Sequence, residues 1–317
     1  MRVLTQLPAS PQPCVAAVGN FDGVHRGHRE LLRAAVADAH ARGLEAIAIS
    51  FEPHPSRILT PQAAPRLITP REEKTRRLAD CGLDALLLLP FSRDLSLWSP
   101  LEFVERILVR GLRVAAVYEG ENFRFGHRGQ GSGELLRQLG AEFGFAVHIE
   151  PRLEVDGAPV SSSRLREQIG AGRVAEAARL LGRPFAVAGL IAPGRGVGRQ
   201  RTVPTLNLQH YEELLPAIGV YLTRANCLPA LTNVGVRPTF GPGGPLTVES
   251  HLLHPPAAGL SVGLGERLEI AFLDRLRDER KFDSPEALRT QIQQDIATAT
   301  RFFAAPGQND ACSGASL

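Results

Sequence analysis

The stretch Gly19-Asn20-Phe21-Asp22-Gly23-Val24-His25-Arg26-Gly27-His28 decides how the first half of this chain folds and what it can bind. This decapeptide lies between an apolar run at 14–18 and a helical pattern that opens at Arg29, so it turns from a strand into a helix N-terminus. Unpaired backbone N–H groups and the positive end of the helix dipole attract an anion there. Glycine lets the backbone approach a phosphate, and histidine donates hydrogen bonds to phosphoryl oxygens. We predict a nucleoside-triphosphate site; a glycine-rich turn without a ligand explains any one of these residues, but not all ten.

Strand-like and helix-like segments alternate through the first half of the chain. The predicted strands are the apolar runs at 15–21, 45–51, 85–89, 114–118 and 146–149. Two helix starts, at Thr69 and Ser99, have the N-cap, proline and glutamate of a capping box. This alternation predicts an α/β, Rossmann-like domain with a parallel sheet covered on both faces. Ligands of such sheets bind at the carboxyl ends of the strands, where the decapeptide would lie.

The second half has a different pattern. A helical pattern at 163–181 closes the first half, and short runs separated by glycine and proline follow it. The predicted strands are at 185–191, 203–208, 219–225, 231–236, 246–253 and 267–273. Their spacing predicts a closed or partly closed antiparallel β-barrel. The predicted domains are 1–183 and 184–305.

One helix is predicted to end the second domain. Ser284 is its expected N-cap, and Leu288, Ile292 and Ile296 form an apolar i, i+4 stripe that should pack on the barrel. The remaining segment, 306–317, is small and polar, and we expect it to be disordered.

Composition limits the classes of function. The hydrophobic fraction of 44% and the charged fraction of 22% are typical of a soluble globular protein, and no apolar run approaches the length of a membrane span. A net charge of +3 indicates no nucleic-acid partner. The four cysteines form no C-x-x-C pair, which favours reduced thiols and a cytoplasmic protein. Small-molecule substrates are therefore the expected partners, and self-association into a homo-oligomer is left open.

Three further motifs follow predicted strands or precede a predicted helix. They are Ser50-Phe51-Glu52-Pro53-His54-Pro55, Gly120-Glu121-Asn122-Phe123-Arg124-Phe125-Gly126 and Ser161-Ser162-Ser163-Arg164-Leu165-Arg166. The serines of the last motif can cap the helix that follows, which is the commoner role, or its hydroxyls and arginines can bind phosphate.

Together with the decapeptide, these motifs resemble the adenylyltransferase half of the prokaryotic bifunctional riboflavin kinase/FMN adenylyltransferases, also called FAD synthetases. The resemblance covers most of residues 14–170. It implies that His25 and His28 bind the ATP phosphates and stabilise the charge of the departing pyrophosphate. It also implies that Asn122 and Phe123 lie beside the nucleotide or the flavin. The full set of implied ATP-binding residues is Gly19, Phe21, Asp22, Gly23, His25, His28, Ser162, Ser163 and Arg166.

The implied reaction needs no nucleophilic side chain. The phosphate of FMN is itself the nucleophile, so the enzyme must only align it with the α-phosphorus of ATP and neutralise charge. Mg²⁺ is expected with ATP, because it binds few protein groups and several phosphate or water oxygens. The sequence has no obvious Ser-His-Asp arrangement, which counts against a hydrolase.

Two motifs of the second half have polar residues in predicted strands. In Pro204-Thr205-Leu206-Asn207, Thr205 and Asn207 share one strand face, and together they can hold Mg²⁺ and an ATP phosphate or form the polar face of an exposed strand. Glu249 lies in an otherwise apolar strand. It either points inward, where a carboxylate needs a task such as accepting a proton from a hydroxyl, or outward on an edge strand.

Residues 184–303 resemble the riboflavin kinase module of the same family. The matching landmarks are Gly189, Gly194, Gly198-Arg199, Pro204-Thr205, Asn207, the segment 233–240, Glu249 and the segment 276–282. The resemblance implies that Glu249 is the base that activates the ribityl 5′-hydroxyl of riboflavin and that Arg277 contacts the flavin. The implied MgATP-binding residues are Gly194, Gly198, Thr205 and Asn207, with the metal held by Thr205 and Asn207.

The second half departs from the family pattern at two positions. Leu206 stands where the family has alanine; it should face away from the nucleotide, so its added volume changes only packing. Thr202 stands where the family has glycine, and a β-branched residue would be strained there if that glycine has a positive φ.

The leading hypothesis is one chain that converts riboflavin to FMN and FMN to FAD with ATP. The alternatives are an adenylyltransferase with an impaired, flavin-binding kinase domain and a flavin-binding regulator without turnover.

Overall fold

The computed structural model describes residues 1–192, 205–236, 246–253 and 264–306. These residues form two compact units, Met1–Ser162 and Ser163–Leu317. The predicted boundary after residue 183 differs from this division, because the helices between 163 and 181 group with the second unit, and it stays a prediction.

A six-stranded parallel sheet forms the centre of the first unit, with the strand order β1-β4-β3-β2-β5-β6. Its strands are β1 (Arg2–Leu4), β2 (Cys14–Val18), β3 (Glu45–Glu52), β4 (Ala85–Pro90), β5 (Val114–Gly120) and β6 (Ala146–Glu150). The prediction missed β1, which is three residues long and pairs with β4 at the edge of the sheet. The decapeptide follows β2 directly, so it lies at the carboxyl end of a central strand.

Helices cover both faces of this sheet, as predicted. They are α1 (Arg26–Ala41), α2 (Pro55–Leu59), α3 (Arg71–Ala79), α4 (Arg93–Ser96), α5 (Pro100–Phe103), which continues as a π-helix (Val104–Val109), and α6 (Gly133–Phe143). Short 3₁₀ turns (Pro61–Ala63 and His127–Gly129) and a hairpin of β7 (Glu154–Val155) and β8 (Ala158–Pro159) complete the unit. Alternate strand residues enter two separate cores, one with Leu32 of α1 and Leu78 of α3, the other with Leu108 and Leu136.

One of the two predicted capping boxes is confirmed. Ser99 Oγ accepts a hydrogen bond from the backbone N–H of Glu102 at 3.1 Å, and Glu102 Oε2 accepts one from the N–H of Ser99 at 2.9 Å. The other is wrong, because Pro70 precedes α3 and no side chain caps the helix. The Thr69 hydroxyl instead accepts a hydrogen bond from the N–H of Gly23 at 2.9 Å. A tertiary contact with the decapeptide has thus replaced the local cap.

The second unit contains a closed antiparallel barrel with the strand order β10-β13-β12-β11-β14-β9. Its strands are β9 (Phe185–Ala192), β10 (Thr205–Gln209), β11 (Gly219–Ala225), β12 (Leu228–Val236), β13 (Leu246–Leu252) and β14 (Arg267–Arg277), and its helices are α7 (Ser162–Gly170), α8 (Val174–Leu181) and α9 (Pro285–Ala304). All six predicted strands are present. The predicted helical pattern at 163–181 is divided into α7 and α8 by Gly172, whose φ is +76°.

The buried face of α9 is rotated from the prediction. Ser284 caps α9 as expected, since its side chain accepts a hydrogen bond from the N–H of Ala287 at 3.1 Å. Ile292, however, is 37% exposed, whereas Asp295, Ala299 and Phe303 are buried. The predicted stripe is therefore wrong at Ile292. A pattern of apolar residues does not predict that Asp295 is buried, because this burial depends on its ion pair with Arg277.

Two further expectations concern cysteine and membranes. Cys14 and Cys81 have free, buried thiols, but Cys227 is disulfide-bonded, so the prediction of reduced thiols fails for that residue. Within the described residues, none of the helices has the length and apolar character needed to cross a membrane.

Candidate active sites

The decapeptide contains strained backbone. Phe21 and Val24 have φ values of +50° and +39°, in the left-handed region that residues other than glycine seldom adopt. Such residues cost about 1–3 kcal/mol each and persist where the surroundings hold them in place. The N–H of Val24 donates to the carbonyl of Phe21 at 3.1 Å, and the N–H of Gly19 donates to the carbonyl of Ile49 at 3.1 Å. The first hydrogen bond stabilises the turn internally, and the second joins it to β3.

Asp22 fastens the decapeptide to the segment before α3. Its buried carboxylate accepts hydrogen bonds from the backbone N–H of Ile68 at 3.0 Å and of Thr69 at 2.9 Å, and from the Thr69 hydroxyl at 3.2 Å. The carbonyl of Asp22 accepts a further bond from Ser162 Oγ at 2.8 Å. Asp22 therefore shapes the turn, and its predicted contact with ATP stays a prediction.

His25 and His28 form a stacked pair at the N-terminus of α1. Their ring centroids are 3.6 Å apart, with 14° between the ring planes. His25 is the N-cap of α1, and its Nδ1 accepts a hydrogen bond from the N–H of His28 at 3.2 Å. Because Nδ1 is the acceptor, the proton of a neutral His25 ring would be on Nε2. The Phe21 ring meets the His28 ring edge-on at 5.3 Å.

The surroundings of His28 favour its neutral form. Burial lowers the pKa of His28 well below its usual value, and the neighbouring His25 lowers this pKa further. The buried His28 Nδ1 atom has no hydrogen-bond partner within the described ranges. An anion bound at the helix N-terminus would favour a proton on this ring, so the pair is suited to respond to phosphate.

Ser162, Ser163 and Arg166 lie on the first two turns of α7. Ser162 is joined to the decapeptide by its bond to the carbonyl of Asp22. Ser163 is exposed and Arg166 is half-buried. Both belong to the second unit, and their predicted phosphate contacts stay a prediction.

The loop after β5 holds the predicted flavin-side residues. Asn122 is exposed, and its amide oxygen accepts a hydrogen bond from the guanidinium of Arg152. The Phe123 ring is stacked on the Phe125 ring with centroids 5.7 Å apart. Phe125 also packs against Phe103 at 5.7 Å, and Phe103 packs against Phe51 of β3 at 6.5 Å. Phe103 and Phe125 belong to the buried core on this face of the sheet, whereas Phe51 and Phe123 are only partly buried and give it an apolar edge.

On the barrel, polar residues of three neighbouring strands lie opposite one another. Glu249 of β13 pairs in register with Asn207 of β10 and with Asn233 of β12. Glu249 is exposed, while Val248 and Ser250 on either side of it are buried, so the carboxylate is on the outer surface of the barrel. Of the two orientations considered for Glu249, the structure has the outward one. Because the barrel is closed, β13 is paired on both sides and is not an edge strand.

Asn233 is a site candidate that the motif analysis did not single out. A side-chain carbon added to Gly235 would lie 3.1 Å from Asn233 Nδ2 and 2.8 Å from Glu279 Oε1, so both groups border this part of β12. The strand period was the available signal, because Asn233 and Gly235 alternate with the buried Val234. Leu206 is buried, as expected for a residue that faces away from Asn207.

Some predicted kinase residues cannot be placed as expected. Gly194, Gly198 and Thr202 lie outside the described residues, and of Thr205 only the backbone, at the start of β10, is described. Arg277, the predicted flavin contact, is bound by Asp295 of α9, with Nη2 2.7 Å from Oδ2 and Nε 3.1 Å from Oδ1. The guanidinium thus joins the barrel to its helix, and a flavin contact of Arg277 stays a prediction.

Comparisons with known proteins match the two halves of the chain to two families. Residues 7–164 match the family model of FAD synthetase, and residues 181–303 match that of riboflavin kinase. A bifunctional riboflavin kinase/FMN adenylyltransferase from Pseudomonas fluorescens is 39% identical over 311 residues, which cover 96% of this chain and 98% of the relative. The enzyme of the same description from Escherichia coli K12 is 34% identical over 310 residues, covering 96% and 97%.

A solved structure of Streptococcus pneumoniae, described as a macrolide-efflux protein, is also similar. It has a TM-score of 0.81 and 28% sequence identity, and the match covers 94% of this chain and 98% of that one. The matches to both family models and the identity over nearly the whole chain lead to one assignment. The chain belongs to the family of bifunctional riboflavin kinase/FMN adenylyltransferases, the enzymes of flavin-cofactor biosynthesis.

Proposed function

We propose that the first unit adenylylates FMN at the decapeptide and that the second unit phosphorylates riboflavin on the outer face of the barrel around Glu249. The observation that supports the first assignment best is the stacked His25–His28 pair at the N-terminus of α1, in which the buried His28 Nδ1 has no hydrogen-bond partner among the described residues. The register of Asn207, Glu249 and Asn233 supports the second.

In adenylyl transfer, His25 Nε2 and the ring of His28 donate hydrogen bonds to the ATP phosphates. The backbone N–H groups at the start of α1 add partial positive charge, and Ser162, Ser163 and Arg166 bind further phosphate oxygens. Charge grows on the pyrophosphate as it leaves, so donors already in place stabilise the transition state more than the bound substrate. Asn122 and Phe123 hold the flavin side of FMN in this proposal.

In the kinase reaction, Glu249 accepts the proton of the ribityl 5′-hydroxyl as its oxygen attacks the γ-phosphorus of ATP. An exposed carboxylate on the outside of the barrel can be reached by a substrate, which a carboxylate inside the barrel could not. Asn207, directly opposite, holds MgATP together with Thr205, Gly194 and Gly198. Positioning, a metal and a base suffice for phosphoryl transfer.

Magnesium fits the barrel site by donor chemistry. The two predicted ligands, the hydroxyl of Thr205 and the amide oxygen of Asn207, are hard oxygen donors two positions apart on β10. Bound Mg²⁺ would neutralise charge on the phosphate oxygens. We also propose that the protein is cytoplasmic. Its partners in this proposal are the small molecules riboflavin, FMN and ATP, and neither nucleic acid nor a membrane is among them.

A two-step assay tests the proposal. Purified protein with riboflavin, ATP and Mg²⁺ should form FMN and then FAD. Glu249→Gln should lower FMN formation about 100-fold or more, because the base is lost, and should leave the conversion of supplied FMN to FAD intact. His28→Ala should stop FAD formation and spare FMN formation.

Matched controls are Glu266→Gln and His40→Ala, which change exposed residues of the same types. Both control proteins should keep both activities. If FAD forms only when FMN is supplied, the barrel is the impaired, flavin-binding kinase. If neither product forms in the wild-type protein, the regulator without turnover is the correct description. Loss of both steps in either site variant contradicts the two-site assignment.

A further inference from the structure

Lys74 of α3 is an unusual basic residue in this chain. Only two of the 36 lysine and arginine residues are lysine, and the other, Lys281, is exposed. Lys74 is 5% exposed. A buried ammonium group is costly unless it is paired or has a function. The buried position of Lys74 therefore requires an explanation, whereas an exposed arginine requires none.

The Lys74 ammonium lies at the carboxyl ends of β2 and β3. Nζ donates a hydrogen bond to Ser50 Oγ at 3.3 Å, and Ser50 Oγ donates to the carbonyl of Asn20 in the decapeptide at 3.1 Å. Glu52 Oε2 is 3.8 Å from Nζ, which is an ion pair but too long for a hydrogen bond. Burial lowers the pKa of Lys74, while the carboxylates of Glu52 and Asp22 act in the opposite direction.

This ammonium has bonding capacity left over. It carries three N–H donors, and Ser50 is its one hydrogen-bond partner among the residues that the structure describes. A phosphate oxygen could accept from the remaining donors, and a charge-assisted bond of this kind is stronger than a neutral one.

The two faces of β3 indicate which phosphate this would be. Phe51 points to the aromatic side of the sheet, with the Phe91 ring 5.8 Å and the Phe103 ring 6.5 Å away. Ser50 and Glu52, one position away on either side, point to the opposite face and to Lys74. A flavin ring on the aromatic side would place its phosphate chain across the end of β3, toward Lys74.

A positive charge at this place would also favour the proposed reaction. The phosphate of FMN and the ATP phosphates are both anionic and must approach each other. His28 is neutral in the free protein and supplies no formal charge. The Lys74 ammonium is buried in the same unit, beside the end of β3. The low dielectric of this place strengthens its attraction for a phosphate.

We propose that Lys74 binds the phosphate of FMN and holds it for attack on the α-phosphorus of ATP. The proposal rests on adenylyl transfer at the decapeptide, and it assigns the two anionic substrates to different groups: ATP to the α1 N-terminus, and the FMN phosphate to Lys74.

The test compares Lys74→Met with the matched control Lys281→Met, which removes the chain's other lysine. With FMN supplied, FAD formation by Lys74→Met should show a KM for FMN about 30-fold higher, the size expected for loss of one hydrogen bond to a charged group. ATP affinity without FMN should change less than about threefold, and Lys281→Met should match the wild type in this assay.

A purely structural role gives a different result. It would lower the urea midpoint followed by fluorescence of Trp98, the single tryptophan of the chain, and would alter ATP and FMN equally. Either that pattern or an unchanged KM for FMN overturns the proposal. If Lys74→Met does not fold, Lys74→Gln, which keeps a donor for Ser50, is measured in its place by the same criteria. Wild-type FAD formation in the same assay separates failure of this proposal from failure of the adenylyltransferase assignment.

Discussion

Glu119 is a buried carboxylate whose two oxygens have no hydrogen-bond partner among the described residues. It lies near the end of β5, just before the loop with Asn122 and Phe123. Gly133 packs so closely that an added side-chain carbon would lie 2.7 Å from Glu119 Oε1. Burial raises the pKa of Glu119 to about 7, although Arg137 and Arg124 act in the opposite direction.

This carboxylate should make the first unit less stable as the pH rises. The folded chain keeps the proton of Glu119 up to about pH 7, whereas the unfolded chain releases it near the ordinary value of 4.5. Stability is therefore lost between these two values, by about 3 kcal/mol for a shift of this size. Glu119→Met should raise the urea midpoint, followed by Trp98 fluorescence, much more at pH 8 than at pH 5.5.

The control for this prediction is Glu134→Met, since the Glu134 side chain is 70% exposed and its loss should not alter the pH dependence. Equal effects of Glu119→Met at both pH values would show that its carboxyl group does not titrate in this way.

Single residues are where sequence reasoning was least complete. The decapeptide made His25 and His28 candidates, because glycines and histidines in a strand-to-helix turn are a local signal. Lys74 had no such signal: its contacts, Ser50 and Glu52, are more than 20 positions away in the chain. Asp295 was missed for the same reason, since Arg277 is its partner on another element.

At the level of elements, the break between α7 and α8 depends on one glycine. Gly172 has a φ of +76°, and a side-chain carbon there would lie 2.8 Å from the hydroxyl oxygen of Tyr221. The sequence predicted one helical pattern here, because apolar residues continue at helical spacing across the break. A left-handed residue in contact with the barrel is not visible in that spacing.

We expect Gly172→Ala to destabilise the second unit by about 1–3 kcal/mol, through backbone strain and the contact with Tyr221. Gly170→Ala is the matched control, because nothing lies within 4 Å of the added carbon and its φ is not in the left-handed region. The control should be neutral or stabilise the helix by up to about 1 kcal/mol. The measurement is the temperature at which half of FMN formation is lost. Equal temperatures for the two variants would contradict the role of Gly172.

At the level of the whole molecule, two reactions that both use ATP are divided between the two units, one reaction to each unit. Neither unit shows a cluster of three or more His, Cys, Asp or Glu side chains that could hold a metal, within the ranges the structure describes. We therefore expect Mg²⁺ to bind together with ATP phosphates rather than to a preformed protein site.

Metal removal should stop both reactions. Chelation with EDTA is expected to abolish FMN and FAD formation, and excess MgCl₂ should restore both. Mg²⁺ alone should leave the unfolding temperature unchanged, while MgATP should raise it, because a ligand that binds only the folded state stabilises it. A clear shift with Mg²⁺ alone would show a protein-held metal site and contradict this expectation.

The sequence by itself determined the architecture of both units. Apolar periodicity predicted the parallel sheet with helices on both faces and all six barrel strands, and turn chemistry predicted the strand-to-helix turn of the decapeptide. These features follow from neighbours in the chain, so a local pattern is sufficient to predict them.

Only the tertiary structure decided how individual polar residues are used. It joined Thr69 to Gly23 instead of to its own helix, placed Glu249 outside the barrel, and buried Lys74 beside Ser50. The physical reason is that the burial of a charge or a hydroxyl depends on partners that folding brings together from distant positions. Local periodicity contains no information about those partners.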